Sequence, residues 1–485
     1  MIKRARGNAS VVVLLAVMCL VEAFALQART LGVVLIGIAC GLALIVLAAR
    51  ADMRRVALGA AYLCAFTLTW NGWFVGPVRP GDVLVLITLL CFAIAAPATS
   101  FRTPPWWVKQ LVFVLLLGAL LFVMFPPSPD YLVHRQHLSA GGQLIAVKPF
   151  GLQLTNIGIA VKFIIAVAAI PMAFTAAALV ERRAVHRLGI AFAAGAALSG
   201  LAAFIDHLGI ASVGEILTGL PNIDTRQVGF ADHPNFLAAG LVLAIPFACW
   251  MLVSHVRWEQ RVGLICLLSM LGGVFASGSR GGAVCSVGAL FLALLLLPRT
   301  RPHMPTIVLG ALTFVTVIAA VVPSFGHRIL HVTRLSGDAA AATAGSDEVR
   351  SIVGAQGMRD FYYSPFHGIG LQASTDASQV YIQELASGGL VLFLGMSLYM
   401  IGAAWAAFRF IPQNSLAAAI LASVGATLAL NLFEADLTDR FYYVPEAILI
   451  AMLTVHKQDT QVADGDSVPP GRLHLPRLIR AESSR

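Results

Sequence analysis

Charged residues are scarce in this sequence. Asp, Glu, Lys and Arg make up 12% of its 485 residues, whereas a soluble domain typically carries about 25%. Hydrophobic residues reach 58%, and the mean hydropathy is +0.83. Such a chain has too few polar side chains to cover a soluble fold, so its composition predicts a polytopic membrane protein.

Several other features that would indicate a function class are missing. The sequence has no metal-ligand spacing and no Gly-rich loop that could cradle a phosphate after a strand, so we expect neither a metal nor a cofactor. Although the net charge is +9, no basic run alternates with aromatic residues, which argues against nucleic-acid binding. All cysteines fall within apolar runs, which predicts buried packing and no disulfide framework: Cys19, Cys40, Cys64, Cys91, Cys249, Cys266 and Cys285.

Long apolar runs, by contrast, fill most of the chain. A membrane-spanning helix needs about 20 such residues, and the runs predict an all-α, polytopic transmembrane helix bundle of about 12–14 spans. The candidate spans are 10–28, 30–49, 56–74, 82–98, 108–126, 156–180, 188–207, 234–254, 261–278, 282–297, 305–323, 380–404, 415–433 and 441–456. Ala23-Phe24-Ala25 resembles a signal-peptidase site, but we favour an uncleaved first helix.

Lysine and arginine are concentrated in alternate loops. Threading the spans from a cytoplasmic N-terminus places short basic loops inside, for example Arg50 to Arg55 and Arg182 to Arg187, and longer, more balanced loops outside. The positive-inside rule therefore predicts an N-in/C-in topology. We expect N-terminal transmembrane helices over 1–190, a catalytic membrane region over 191–456, and a disordered cytoplasmic tail over 457–485.

The largest outer loop, 324–379, contains most of the polar residues that could support chemistry. Its centre, Gly337–Gly345, is rich in Ala, Gly and Ser and is predicted to be mobile. A helix is predicted over 346–361, with Ser346 as its N-cap, and Ser364-Pro365 is expected to end it. A second helix, beginning near Asp376 or Ser378, should re-enter the membrane.

Arginines near the outer membrane edge are the first candidates for a binding site. Arg280 lies between glycines in Ser277–Gly282, and Arg226 precedes His233-Pro234-Asn235 at the entrance of a span. Arginine grips phosphate in a bidentate way, so Arg280 could bind a lipid-linked phosphate. The alternatives are a hairpin turn at the headgroups for Arg280, a loop residue for Arg226 and a helix-entry residue for Asn235, and one His beside Pro is a weak signal at His233.

Arg350 and Arg359 are a second pair of candidates. They are nine residues apart, so on one straight helix they would point to opposite faces. They could share a ligand only if the helix bends or ends between them. Otherwise at least one is structural, pairing for example with Glu348 or Asp360, and we favour Arg350 as the functional residue.

His367 and Asp376 are the candidate catalytic residues, since each could deprotonate an attacking sugar hydroxyl. Their structural alternatives are a turn residue and a helix cap. Arg440 follows Glu434, Asp436 and Asp439 and is predicted to form a local ion pair.

Three segments together resemble the O-antigen ligase and polymerase superfamily of bacterial envelope glycosyltransferases. They are Arg226 to Ala238, Ser277 to Gly282, and Ser346 to Gly389. The resemblance covers roughly residues 190–450 and implies an undecaprenyl-diphosphate-linked glycan as donor, used outside the bacterial inner membrane without a metal or nucleotide sugar. It implies that Arg226, Arg280 and Arg350, with Arg359 as a further candidate, bind the diphosphate. The resemblance also allows a chain-length regulator as a partner, beside the membrane lipid itself.

One departure from the family pattern separates two functions. Ligases of the family typically carry a His just before the re-entry helix, where this chain has Asp376-Ala377-Ser378-Gln379. The sequence therefore favours a polysaccharide polymerase that extends one lipid-linked repeat unit with another. The alternatives are an O-antigen ligase that transfers glycan to lipid A-core or to a protein, a lipid-glycan transporter, and a non-catalytic assembly partner.

Overall fold

The computed structural model describes residues 53–72, 79–95, 104–134, 159–220, 226–306, 337–371, 379–434 and 437–464, with a few positions within 309–317. These residues form helices and turns, and no β-strand occurs among them. The helices are α1 (Met53–Thr67), α2 (Pro80–Ala95), α3 (Trp106–Met124), α4 (Pro129–His134), α5 (Ile159–Val180), α6 (Ala184–His207), α7 (Val213–Thr218), α8 (Pro234–Leu252), α9 (Arg257–Ser277), α10 (Arg280–Leu296), α11 (Gly337–Tyr363), α12 (Val380–Phe410), α13 (Leu416–Leu430) and α14 (Val444–Asp464).

The predicted polytopic helical membrane protein is confirmed. Among the described residues, six helices are long and apolar enough to cross a membrane, namely α3, α5, α6, α8, α9 and α12, and α2, α10 and α13 are shorter apolar helices. The candidate spans 10–28 and 30–49, with the segment resembling a signal peptide, lie outside the described residues. The total of 12–14 spans and the N-in/C-in topology stay predictions.

Helix α8 is the centre of the bundle. Of its apolar window 89% is buried, and it packs against α6, α9, α10 and α13. Small residues bring the surrounding helices close together. A Cβ added to Gly273 of α9 would lie 2.4 Å from the Cα of Gly200 in α6, so backbones touch where larger side chains would separate them.

Helix α11 is longer than the sequence predicted. It begins at Gly337 and continues through Ser346, so the segment predicted to be mobile is helical and Ser346 is not its N-cap. The reason is the alanines at 339–342, since alanine has the highest helix propensity of all residues. The end at Tyr363, before Ser364-Pro365, agrees with the prediction.

Helix α12 is broken at Gly389, where φ is 61°. The preceding loop supplies the hydrogen bonds that the break leaves open. The N–H of Gly370 donates to the Ser387 carbonyl over 3.0 Å, and the N–H of Leu390 donates to the Pro365 carbonyl over 2.8 Å. A Cβ on Gly389 would lie 2.4 Å from the Phe366 backbone, so only glycine fits there. We call 365–370 the clamp loop.

Two smaller predictions can be compared with the structure. Cys64, Cys91, Cys249, Cys266 and Cys285 are buried free thiols, as predicted, while Cys19 and Cys40 lie outside the described residues. Helix α14 continues to Asp464. The tail predicted to be disordered from Lys457 therefore begins as helix.

Candidate functional site

Arg226 lies across the turn that joins α9 to α10. Its Nε donates to the Ser277 carbonyl over 2.9 Å, and its guanidinium also donates to Oδ1 of Asn235. Gly278 ends α9 with φ +60°, and a Cβ there would lie 3.2 Å from Cγ of Arg226. The glycine thus leaves room for the arginine to cross the turn.

Arg280 is the first residue of α10. Ser279 caps this helix by accepting a hydrogen bond from the N–H of Gly282 over 3.2 Å. The half-buried Arg280 therefore stands at a helix N-terminus, where the backbone dipole also favours an anion. Gly281 packs closely on Phe433, since a Cβ added to Gly281 would lie 2.9 Å from the Phe433 side chain. This contact brings the loop after α13 next to the start of α10.

His233 and Asn235 open α8. The Nδ1 of His233 accepts a hydrogen bond from the N–H of Asn235 over 3.2 Å, so His233 is the N-cap. Burial and the charges of Arg226 and Arg350 lower the pKa of His233 to about 4. At pH 7 this imidazole is therefore neutral, and its Nε2 carries the proton.

Glu434 is the acid of this site, which the sequence reading did not single out. It is 6% exposed. Burial raises its pKa to about 7, although Arg350, Arg226 and a hydrogen bond with Asn235 oppose the rise. The signal in the sequence is its position, since it directly follows the apolar run 415–433 and begins an outer segment.

Arg350 and Arg359 lie on the unbroken helix α11, so the two side chains leave opposite faces. Both are exposed. The charge of Arg350 acts on His233 and Glu434, while no described interaction brings Arg359 to these groups. Asp360, predicted as a partner for an arginine, accepts hydrogen bonds from Tyr131 over 2.8 Å and Gln356 over 2.9 Å.

These contacts define one site at one end of the bundle, the end that the sequence predicts to face outward. It combines the entrance of α8, the α9–α10 turn, α11 and the loop after α13. We call the following residues the arginine site: Arg226, His233, Asn235, Arg280, Arg350 and Glu434.

The two predicted catalytic residues are not joined to the arginine site by any described contact. His367 is half-buried in the clamp loop, where its ring lies 3.3 Å from Oγ of Ser364 and 6.2 Å from the ring of Phe125. Asp376 lies outside the described residues.

A second group of charges lies beside the arginine site. Arg440 does not form the predicted local ion pair; it grips Asp82 of α2 with two hydrogen bonds of 2.8 and 2.7 Å. Asp439 accepts hydrogen bonds from Arg79 and, over 2.9 Å, from Asn71. Arg79 also faces Asp232 at 3.6 Å. We call the charged residues of this group the ion-pair cluster: Arg79, Asp82, Asp232, Asp439 and Arg440.

The local pairing of Arg440 was wrong for a physical reason. Its partner stands 358 residues away in the chain, at the start of a helix that packing brings alongside. Within the described part of the chain, no group of three or more His, Cys, Asp and Glu residues is arranged to hold a metal ion.

Residues 265–393 match the family model described as O-Antigen ligase. The matched segment contains Arg280, Arg350, the clamp loop and the break in α12, while Arg226 and Glu434 lie outside it. No curated protein matches the chain. The family match confirms the resemblance seen in the sequence, and it supports a membrane enzyme of the glycosyltransferase type in polysaccharide biosynthesis.

Proposed function

With residues 265–393 matching the O-antigen ligase family, we propose that this protein is a polysaccharide polymerase of the bacterial inner membrane. It transfers glycan from an undecaprenyl-diphosphate-linked donor to a lipid-linked repeat unit. The reaction takes place at the periplasmic face. Membrane lipid surrounds the protein, and a chain-length regulator is a candidate partner.

The observation that carries the proposal is the concentration of arginines at the outer end of the bundle. Arg226 and Arg350 act on the same two groups, His233 and Glu434, and Arg280 begins the helix after the turn that Arg226 crosses. Guanidinium groups match the geometry of phosphate oxygens. Several arginines at a membrane edge would therefore suit a diphosphate as their ligand.

The reaction follows from this arrangement. An acceptor sugar hydroxyl attacks the anomeric carbon of the donor, a new C–O bond forms, and the bond from that carbon to the diphosphate oxygen breaks. The leaving undecaprenyl diphosphate carries the electron pair, and the hydroxyl proton passes to a base. Arginines aimed at the diphosphate would stabilise its developing charge, so in this proposal they supply the positive charge and no metal is required.

A ligase is the second candidate, because the matched family model is described as O-Antigen ligase. It would use the same donor and the same arginines, with lipid A-core or a protein as acceptor. The stretch Asp376–Gln379, which has no His, favours the polymerase.

The test is transfer by the purified protein in vesicles, first with lipid-linked repeat units alone and then with lipid A-core added. A ladder of products from repeat units alone supports the polymerase. Transfer only after addition of the core supports the ligase. If no product forms in either mixture, the polymerase and the ligase hypotheses are both refuted, and a transporter or an assembly partner is favoured.

Variants connect that activity to the arginine site. Arg280→Ala should abolish transfer, and Arg280→Lys should restore little because lysine cannot bind in a bidentate way. Arg409→Ala, at the far end of α12, is the matched control and should keep wild-type transfer. Equal activity of Arg280→Ala and Arg409→Ala would contradict the proposed role.

A further inference from the structure

The ion-pair cluster contains more acids than bases. Three carboxylates, Asp82, Asp232 and Asp439, face two guanidinium groups, Arg79 and Arg440. Two arginines can neutralise two of these carboxylates. One carboxylate is therefore in excess among these five described residues.

The contacts show which carboxylate is in excess. Asp82 receives both hydrogen bonds of Arg440, and Asp439 accepts from Arg79 and Asn71. Asp232 lies 3.6 Å from Arg79, which is longer than a hydrogen bond. Its side chain is 26% exposed, against 13% for Asp82 and 1% for Asp439, so it is also the most accessible of the three.

The position of Asp232 in the chain brings it to the reaction. It directly precedes His233, the N-cap of α8, and lies three residues before Asn235, which bonds Arg226. The carboxylate therefore stands where the ion-pair cluster meets the arginine site. A donor whose diphosphate is held by the arginine site would have its sugar close to this junction.

The electrostatics of this carboxylate suit proton transfer. Burial and the neighbouring charge of Asp439 raise the pKa of Asp232 to about 7, while Arg79 and the backbone N–H groups of Asp232 and His233 oppose the rise. A general base works best when its pKa lies near the operating pH.

We propose that Asp232 is the general base of the transfer reaction. Its carboxylate takes the proton of the acceptor sugar hydroxyl while that oxygen bonds to the anomeric carbon and the diphosphate leaves. The proton then passes from Asp232 to water, which regenerates the base. This inference rests on the proposed function and gives the base role to a residue other than His367 or Asp376.

The test compares Asp232→Asn, Asp232→Glu and the control Glu215→Gln, an exposed carboxylate on the outer helix α7. Donor binding is measured in vesicles between pH 5.5 and 8.5, and transfer is measured over the same range at a donor concentration that saturates binding at every pH. In the wild-type protein, transfer should increase with pH and level off above a midpoint near 7, because the base acts when ionised.

Asp232→Asn should lower transfer by about 10²–10⁴-fold and remove this pH dependence, while donor binding stays at the wild-type level. Asp232→Glu should restore part of the rate, and Glu215→Gln should match the wild type throughout.

Two results would overturn the inference. One is wild-type transfer with an unchanged pH profile in Asp232→Asn. The other is a parallel loss of donor binding and thermal stability in that variant, which would make Asp232 a structural member of its cluster. Absence of transfer by the wild-type protein would refute the proposed function itself, and this inference with it.

Discussion

The arginine site and the ion-pair cluster lie side by side but balance their charges differently. In the ion-pair cluster, Arg440 is held by both oxygens of Asp82, and Arg79 is bonded to Asp439. In the arginine site, Arg226 is bonded to a carbonyl and an amide oxygen. Its acid, Glu434, has a pKa raised to about 7 and so is only partly ionised at neutral pH.

This difference separates arginines that hold the fold from arginines suited to a ligand. A guanidinium that is fixed by a carboxylate has its charge compensated within the protein. In the arginine site, the charges of Arg226 and Arg350 act on Glu434, an acid that is only partly ionised at neutral pH, and such a site suits an anionic ligand. Sequence alone shows arginines at the outer edge in both places, and only the partners tell them apart.

The largest effect should come from Arg440→Ala. The change leaves the Asp82 carboxylate without the bidentate partner that the structure shows. Removal of one partner from a buried pair costs about 3–5 kcal/mol, so the variant should unfold at a clearly lower temperature than the wild type. Thermal unfolding in detergent is the measurement. The double variant Asp82→Asn/Arg440→Ala should recover part of the lost stability. Wild-type stability of Arg440→Ala would show that the arginines of the ion-pair cluster do not stabilise the fold.

Arg350→Ala should act on transfer and not on the fold. Arg350 is exposed on α11 and its charge acts on His233 and Glu434. Loss of one positive group at a developing anion typically costs about 10²-fold in rate. Arg359→Ala, on the opposite face of α11, is the matched control and should change transfer less than about threefold. Equal losses in both variants would show that α11 acts through its overall charge.

Glu434→Gln should remove the pH dependence of donor binding that we expect for the arginine site. The Glu434 carboxyl, with a pKa of about 7, is neutral below that pH and ionised above it. Ionisation adds a negative charge beside the diphosphate, so donor affinity should fall about tenfold as pH rises from 6 to 8. The Gln variant, which cannot ionise, should bind the donor equally across this range. Titration of donor binding at several pH values measures this effect, and the same pH dependence in the variant would contradict it.

Much of the fold could be predicted because apolar runs are continuous. The candidate spans 188–207 and 234–254 correspond to α6 and α8 within a few residues. The start of α11 could not be placed, because a segment mixing alanine with glycine and serine fits both a helix and a mobile loop. The break at Gly389 was also missed, since it depends on the clamp loop pairing with α12.

The sequence could single out individual arginines as candidates, and their role in binding stays a prediction. Arg226, Arg280 and Arg350 could be chosen because a charged residue next to long apolar runs is rare in this chain. Glu434 and Asp232 were missed, since a carboxylate acquires a raised pKa only from groups that folding brings around it. The pairing of Arg440 with Asp82 could not be predicted either, because only folding brings these two residues together.

The break at Gly389 also constrains how the chain is assembled in a membrane. The part of α12 after the break, 390–410, is about 31 Å long and spans a hydrocarbon core by itself. The preceding turns, 380–388, then lie beyond that core, and their open backbone groups are bonded by the clamp loop. Since the clamp loop precedes α12 in the chain, it is synthesised first and is already present when the break in α12 has to be closed.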